Sequence, residues 1–220
     1  RHIDGAAGYN NEAGAGRALK NTGFTEGELR KGLWVTTKLR DSEQGYDSAR
    51  KAFDRQLDLL QLDYVDMYML HWPTPFDWRS GETWKAFNEF RAEGRVRTLG
   101  VCNFLPEHLE RLHKETGEYP AVNQIECHPL WNRKPLIAFC RSHGIAVQAY
   151  APLARGLYLN REIMQQLAEK YVRTEAQIGL RYLVQQGISV IPKSTQPDRI
   201  FANADVFDFE LSEADMALID

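Results

Sequence analysis

A parallel α/β fold, built as a (β/α)8 TIM barrel, is what this sequence predicts, and three observations predict it. Seven short apolar runs rich in β-branched residues recur along the chain, with the spacing of roughly 30 residues that a barrel of about 250 residues would give. Amphipathic helical stretches fill the intervals, and strands alternating with helices imply a parallel sheet covered by helices. No GxGxxG turn follows any strand, which argues against a doubly wound dinucleotide fold and leaves the barrel.

The strand-like runs are residues 1–4 (RHID), 33–39 (LWVTTKL), 64–71 (YVDMYMLH), 98–104 (TLGVCNF), 121–129 (AVNQIECHP), 145–153 (IAVQAYAPL) and 188–194 (ISVIPKS). In SARKAFDRQLDLL, Ala49, Phe53, Leu57 and Leu60 recur at helical spacing and make one apolar stripe. Trp84, Phe87 and Phe90 build a similar face, which Gly94 ends. Pro106 suits the first turn of the next helix, with Leu109 and Leu112 facing inward. KPLIAFCRSHG closes on Gly144, while TEAQIGLRYLVQQG opens with a Thr174/Gln177 capping box and closes on Gly187. Linkers of low complexity are absent, so residues 1–220 read as one domain. A barrel has eight strands and seven are visible, in a chain that opens on Arg1 and directly on a strand. The visible strands are therefore read as the second to the eighth, with the first strand expected upstream; a seven-stranded barrel would leave unpaired strand edges, so the domain is expected to be truncated at both ends.

Composition bounds the setting. With 43% hydrophobic and 26% charged residues the chain has the means for a full core. No apolar run approaches the ~20 residues that span a bilayer, so no membrane partner is expected. A formal charge of -3 gives no basic surplus for a nucleic-acid backbone. Three cysteines without CxxC spacing and no visible signal peptide fit reduced thiols in a cytoplasmic monomer.

In a barrel the reactive groups stand at the C-terminal ends of the strands. The residues at those ends are Asp4, Lys38, His71, Asn103, Gln124 with Glu126, Tyr150 and Lys193. Singly, each has a plain structural reading: a hydrogen-bonded histidine, or a partly buried Asp4–Lys38 ion pair. Polar groups at every strand end of one rim point instead to a site. Cys127-His128 has no HxH or third ligand beside it, so packing is the better reading and no metal is expected.

The motifs HIDGAAGYNNE, TTKL, DYVDMYMLHWP, GVCNF, NQIECHP, YAPL and IPKSTQPDRI stand in the order and spacing of the aldo-keto reductases. Over essentially all 220 residues the chain resembles the bacterial branch that includes diketogluconate reductases. The resemblance implies a (β/α)8 barrel that binds an extended nicotinamide cofactor without a Rossmann fold and reduces a small carbonyl substrate to an alcohol, with an N-terminal hairpin and first strand upstream of Arg1 and a C-terminal loop after Asp220. Tyr9 matches the proton donor. A phenol with a pKa of about 10 is a poor acid at neutral pH, and Lys38 matches the ammonium that favours its ionised form, with Asp4 aiming that ammonium. His71 matches the residue that orients the substrate oxygen.

For the cofactor, the resemblance implies that Cys102, Asn103 and Gln124 hold the carboxamide and that Tyr150 stacks on the nicotinamide, with Ala151 and Leu153 of YAPL beside it. Lys193, Ser194, Thr195 and Arg199 supply cations and hydroxyls for an adenosine 2′-phosphate, and Asn203 matches the adenine contact, so NADPH is expected over NADH. Trp34 and Trp72, with Phe76 and Trp78, are expected to line an apolar substrate cleft. Three positions depart from the family pattern: Cys102 stands where serine is usual, Gly5 where threonine is common, and Asn10 where glycine is common. A barrel that merely binds or senses nicotinamide is the alternative function, and a metal-dependent hydrolase a weaker third; the complete set Asp4, Tyr9, Lys38 and His71 favours the reductase.

Overall fold

The computed structural model describes residues 1–74 and 76–220. Its strands are β1 (His2–Asp4), β2 (Trp34–Leu39), β3 (Val65–Leu70), β4 (Val96–Cys102), β5 (Val122–Glu126), β6 (Ala146–Tyr150) and β7 (Ser189–Val190). The helices are α1 (Glu12–Asn21), α2 (Gly27–Lys31), α3 (Tyr46–Leu60), α4 (Ser80–Ala92), α5 (Pro106–Thr116), α6 (Lys134–Ser142), α7 (Glu162–Tyr171), α8 (Glu175–Gln185), α9 (Pro197–Ala204) and α10 (Glu213–Ile219). Contacts group the chain into two compact units, residues 1–123 with 143–145 and residues 124–142 with 146–220.

In the first unit β1, β2, β3 and β4 pair in parallel and in sequence order, with Asp4 opposite Thr36 and Lys38 opposite Met69. All positions of β3 are buried, which is why its sequence runs apolar without alternation. The expected stripe of α3 is buried at Ala49, Phe53, Leu57 and Leu60, joined by Ala52 and Gln56. Phe53 stacks on Phe90 of α4 at 4.4 Å and Tyr68 of β3 meets Phe87 at 4.5 Å. Burying each such ring contributes about 1.5–3 kcal/mol. At the N-terminal ends of the strands, Asp66 accepts from Arg30 and Arg97 at 2.8 Å each and from the Val35 amide at 2.9 Å.

Apolar periodicity does not show helix α1, because its packing face is small. A Cβ at Gly16 would fall 2.2 Å from the Leu59 carbonyl oxygen, so glycine is what lets α1 approach α3. Other helix ends follow their expected turn chemistry. Gly94, Gly144 and Gly187 take φ of 75°, 69° and 73°, Pro106 opens α5, and the Thr174/Gln177 capping box is formed.

The second unit begins at Gln124 within β5; in it β6 and β7 pair in parallel through Gln148 with Ser189 and Ala149 with Val190. The last strand is shorter than the expected 188–194, because Pro192 has no N–H to continue the ladder. Among the described residues no helix is long and apolar enough to cross a membrane.

Candidate active site

Asp4 ends β1, and the chain then turns through a short 3-10 helix, Ala7–Tyr9. The turn closes on Asn10, whose φ of 55° is a left-handed conformation that asparagine tolerates. Arg40, two residues beyond Lys38, donates to the Ala7 carbonyl at 2.8 Å and to Asn10 Oδ1 at 2.7 Å. Asparagine at this position is thereby explained, and the turn carrying Tyr9 is tied to the end of β2.

Lys38 is completely buried. Its Nζ donates to Asp4 Oδ2 and, at 2.9 Å, to the Gly5 carbonyl; it lies 3.5 Å from the Tyr9 hydroxyl. Tyr9 itself is 49% exposed, so its oxygen stands between a buried cation and open space. His71 follows β3 directly, its amide donating to the Leu39 carbonyl at 3.3 Å. The Tyr9 and His71 rings meet edge to face with centroids 5.7 Å apart. A Cβ on Gly8 would stand 3.5 Å from His71 Nδ1, so the imidazole rests against that glycine. Asn103, just past β4 with φ 61°, donates from Nδ2 to the His71 carbonyl at 3.2 Å.

The charges follow from this packing. Burial opposes the charge on Lys38 most strongly, yet its anionic surroundings, Asp4 foremost, outweigh it and raise the pKa above the ordinary lysine value. His71 is lowered, first by burial and then by the Lys38 ammonium, with Asp41 and Asp4 partly offsetting. At neutral pH the rim therefore holds an ammonium and an uncharged imidazole.

The second unit presents its own group. Gln124 Nε2 donates to Gln148 Oε1 at 2.6 Å, and Tyr150 ends β6. The loop after it carries left-handed non-glycine residues, Ala151 with φ 46° and Ala154 with φ 46°, conformations that cost of order 1 kcal/mol each or more. Within that loop the Leu153 carbonyl accepts from the Gly156 amide at 2.7 Å. Exposed Lys193 and Thr195, with half-buried Ser194, lead into α9; Ser194 Oγ accepts from the Gln196 amide at 3.0 Å. Arg199 is exposed in the first turn of α9 and Asn203 is half-buried in its last. Lys193, Ser194 and Thr195 thus precede a helix whose first turn carries Arg199, and a helix N-terminus favours an anion.

The model of the aldo/keto reductase family matches residues 1–220. The chain belongs to that family. It is an oxidoreductase, and bacterial reductases are among its relatives. The glyoxal reductase of Bacillus subtilis is 42% identical over 220 residues, covering 100% of this chain and 78% of that protein. The methylglyoxal reductase DkgA of Escherichia coli is 42% identical over 221 residues with the same coverage of 100% and 78%. The crystal structure of a Gox0644 mutant in complex with NADPH superposes with a TM-score of 0.93 at 41% identity, covering 100% of this chain and 78% of that one.

In this aldo/keto reductase two of the expected residues stand apart from the exposed groups of the rim. Trp34 opens β2, four residues and ~13 Å of strand before Lys38; it stands at the opposite end from the rim and does not join the site. Cys102 is 1% exposed, its Sγ 3.8 Å from Met69 Sδ in a cluster with Met67. Burial pushes its pKa up, so it is a neutral, buried thiol. Trp72 does stand exposed directly after His71. Trp78 is held against α5, its Nε1 donating to Glu115 at 2.8 Å with Arg111 4.5 Å over the ring, and Phe76 is fully exposed.

Sequence reasoning missed Arg40 and Gln44. Gln44 is fully buried and donates to the Trp72 carbonyl at 2.8 Å, pinning the loop that follows His71. A glutamine two residues before α3 carries no signal in a single sequence, because nothing there shows that its side chain is buried.

Proposed function

We propose that this protein reduces aldehydes or ketones to alcohols with NADPH, Tyr9 giving the proton, at the C-terminal ends of the strands of a (β/α)8 barrel. One observation carries the reading: Lys38 Nζ is bonded to Asp4, lies 3.5 Å from the Tyr9 hydroxyl, and the Tyr9 ring meets His71 edge to face. Carbonyl reduction builds negative charge on oxygen, so the site needs a proton donor and a stabiliser of that charge. Tyr9 releases its proton to the substrate oxygen, and the Lys38 ammonium stabilises the charge left on the phenol oxygen. Asp4 keeps Lys38 charged and aimed. Neutral His71 donates a ring N–H to the carbonyl and orients it, while Trp72 offers an apolar wall beside it.

The residues present fit a nicotinamide dinucleotide phosphate, which when bound supplies the hydride. Asn103 and Gln124 offer the mixed donors and acceptors that a carboxamide needs, and Tyr150 a flat ring, with Ala151 and Leu153 beside it. Lys193, Ser194, Thr195 and Arg199 answer a 2′-phosphate at the start of α9, and Asn203 an adenine. The parallel strand order and the superposition on an NADPH-bound relative support the barrel and the cofactor. The three buried free cysteines fit a cytoplasmic monomer.

A panel of small aldehydes and ketones, glyoxal and methylglyoxal among them, assayed by loss of NADPH absorbance tests the proposal. Turnover of at least one member is expected. NADPH binding with no turnover of any of them would replace it with a binding or sensing role.

A further inference from the structure

We infer that Glu12, Thr37, Gln56 and Tyr68 form a buried positioning hub that fixes Tyr9, Lys38 and His71 relative to one another. The inference rests on the reading of those three residues as the reaction site, and concerns residues that touch neither substrate nor cofactor in that reading.

Glu12 opens α1, three residues after Tyr9, and is 5% exposed. A carboxylate so deep is unfavourable unless its oxygens are bonded. Its Oε1 accepts from Thr37 Oγ1 at 2.5 Å and from Gln56 Nε2 at 2.8 Å. Thr37 directly precedes Lys38, and successive strand residues face opposite sides. Lys38 therefore turns toward Tyr9 while Thr37 turns back to the helices. Gln56, fully buried on α3, also brings Nε2 to 3.1 Å from Thr37 Oγ1 and 3.2 Å from the Lys38 carbonyl oxygen. Its Oε1 accepts from the Tyr68 hydroxyl at 2.6 Å. Tyr68 lies opposite Thr37 in the β2–β3 ladder and three residues before His71.

The hub is thus bonded to β2, which carries Lys38, to β3, which leads directly into His71, and to α1, which begins three residues after Tyr9. Burial, followed by the charge of Glu12, pushes the Tyr68 phenol well up, so it remains a donor. Stability alone does not account for such a group, since an apolar set of equal volume in a core is often as stable or more so. Directional bonds do what apolar contact cannot: they fix how far α1, β2 and β3 slide along one another. The 3.5 Å from Lys38 Nζ to the Tyr9 hydroxyl is the distance that such sliding changes.

The test uses the complete protein with an aldehyde that the parent reduces, and four variants: Glu12→Gln, Thr37→Val, their double, and Tyr68→Phe. For each, kcat, KM, NADPH affinity by fluorescence and the thermal midpoint are measured. Glu12→Gln and Thr37→Val should each lower kcat about tenfold, with KM and NADPH affinity within about twofold, since a shift well under 1 Å is at stake. The double variant should lose little more than the worse single, because both act on the same bond, Thr37→Val removing its donor and Glu12→Gln the charge on its acceptor. Tyr68→Phe, one oxygen smaller, should lose about threefold by the same reasoning. Thermal midpoints that fall while kcat per folded enzyme stays within twofold of the parent would overturn the hub and leave a structural role. If Glu12→Gln does not fold, Thr37→Val and Tyr68→Phe decide by the same criteria. A parent that reduces no carbonyl removes the reading of the site itself; an active parent with unchanged variants removes the hub alone.

Discussion

The Tyr9 and His71 rings stand edge to face, 5.7 Å between centroids and 82° between planes, although 62 positions separate them in the chain (71 − 9). Strand ends make the meeting possible: Tyr9 sits on the turn after β1 and His71 directly after β3, with Lys38 of β2 between. If Tyr9 donates the proton, Tyr9→Phe keeps the ring and removes the donor, so kcat should fall by at least the ~100-fold typical of general acid catalysis, with NADPH binding nearly unchanged. His71→Gln keeps a hydrogen bond but displaces it, and a misplacement of about 1 Å costs ~100-fold. Both residues address one oxygen, so the losses should not add. Steady-state kinetics of the two singles and the double check this: a Tyr9→Phe enzyme within threefold of the parent contradicts the proton donor.

The lowered pKa of His71 carries a sign that can be measured. Its ordinary value is 6.5 and burial, then Lys38, hold the folded value below it. An NMR titration should therefore place the His71 midpoint under 6.5, and kcat/KM should not fall through protonation of His71 until the pH is below that value. Between the folded value and 6.5 the unfolded chain binds more protons, so this residue's contribution to stability is present above 6.5 and is lost as pH falls through that window. Urea midpoints should drop from pH 7 toward pH 5, and His71→Gln should drop less. A His71 midpoint above 6.5 would reverse the argument.

Much of this molecule is legible in the chain before any coordinates. The stripe Ala49, Phe53, Leu57 and Leu60, the capping box at Thr174 and the glycines at 94, 144 and 187 each report a local rule, and local rules survive folding. Asp4, Tyr9, Lys38 and His71 stand out as polar residues at or beside strand ends, and the structure does bring them together. What a strand run does not say is which of its ends a residue occupies relative to the rim, and so the place of Trp34 at the start of β2 is not legible in the sequence alone. Nor does a motif say how deep a residue lies: Cys102 beside Asn103 looks available and is core. The hub around Gln56 is illegible for a third reason, because its partners come from elements whose contact only the fold creates.

Cofactor preference is tested at the start of α9. Arg199 is exposed there, as is Lys193 ahead of the helix. If the two hold a 2′-phosphate, Arg199→Ala should weaken NADPH by about 1.5–3 kcal/mol, the value of a hydrogen bond to a charged group, and leave NADH nearly unchanged. Fluorescence titration with both nucleotides separates the cases, and equal losses for the two would mean that Arg199 does not read the phosphate.

The opposite ends of the strands should behave as stability and nothing else. Asp66 is the second residue of β3, five residues and ~17 Å of strand before His71. Its carboxylate is 1% exposed and accepts from Arg30, whose own side chain is 3% exposed, from Arg97 and from the Val35 amide. Arg30 also donates to the Leu33 and Tyr64 carbonyls, so its cation is fixed in place and cannot follow solvent. Removing Asp66 leaves that cation buried without an anion, a change that typically costs about 3–5 kcal/mol. Asp66→Ala should therefore lower the urea midpoint strongly, while kcat measured on the folded fraction stays within twofold of the parent, because no bond of Asp66 reaches the rim. Asp4→Ala should do the reverse in kind, removing the group that aims Lys38 at Tyr9 and so lowering kcat whatever it does to stability. An Asp66→Ala enzyme that folds as well as the parent, or that folds and loses activity, would break this division between the two ends of the strands.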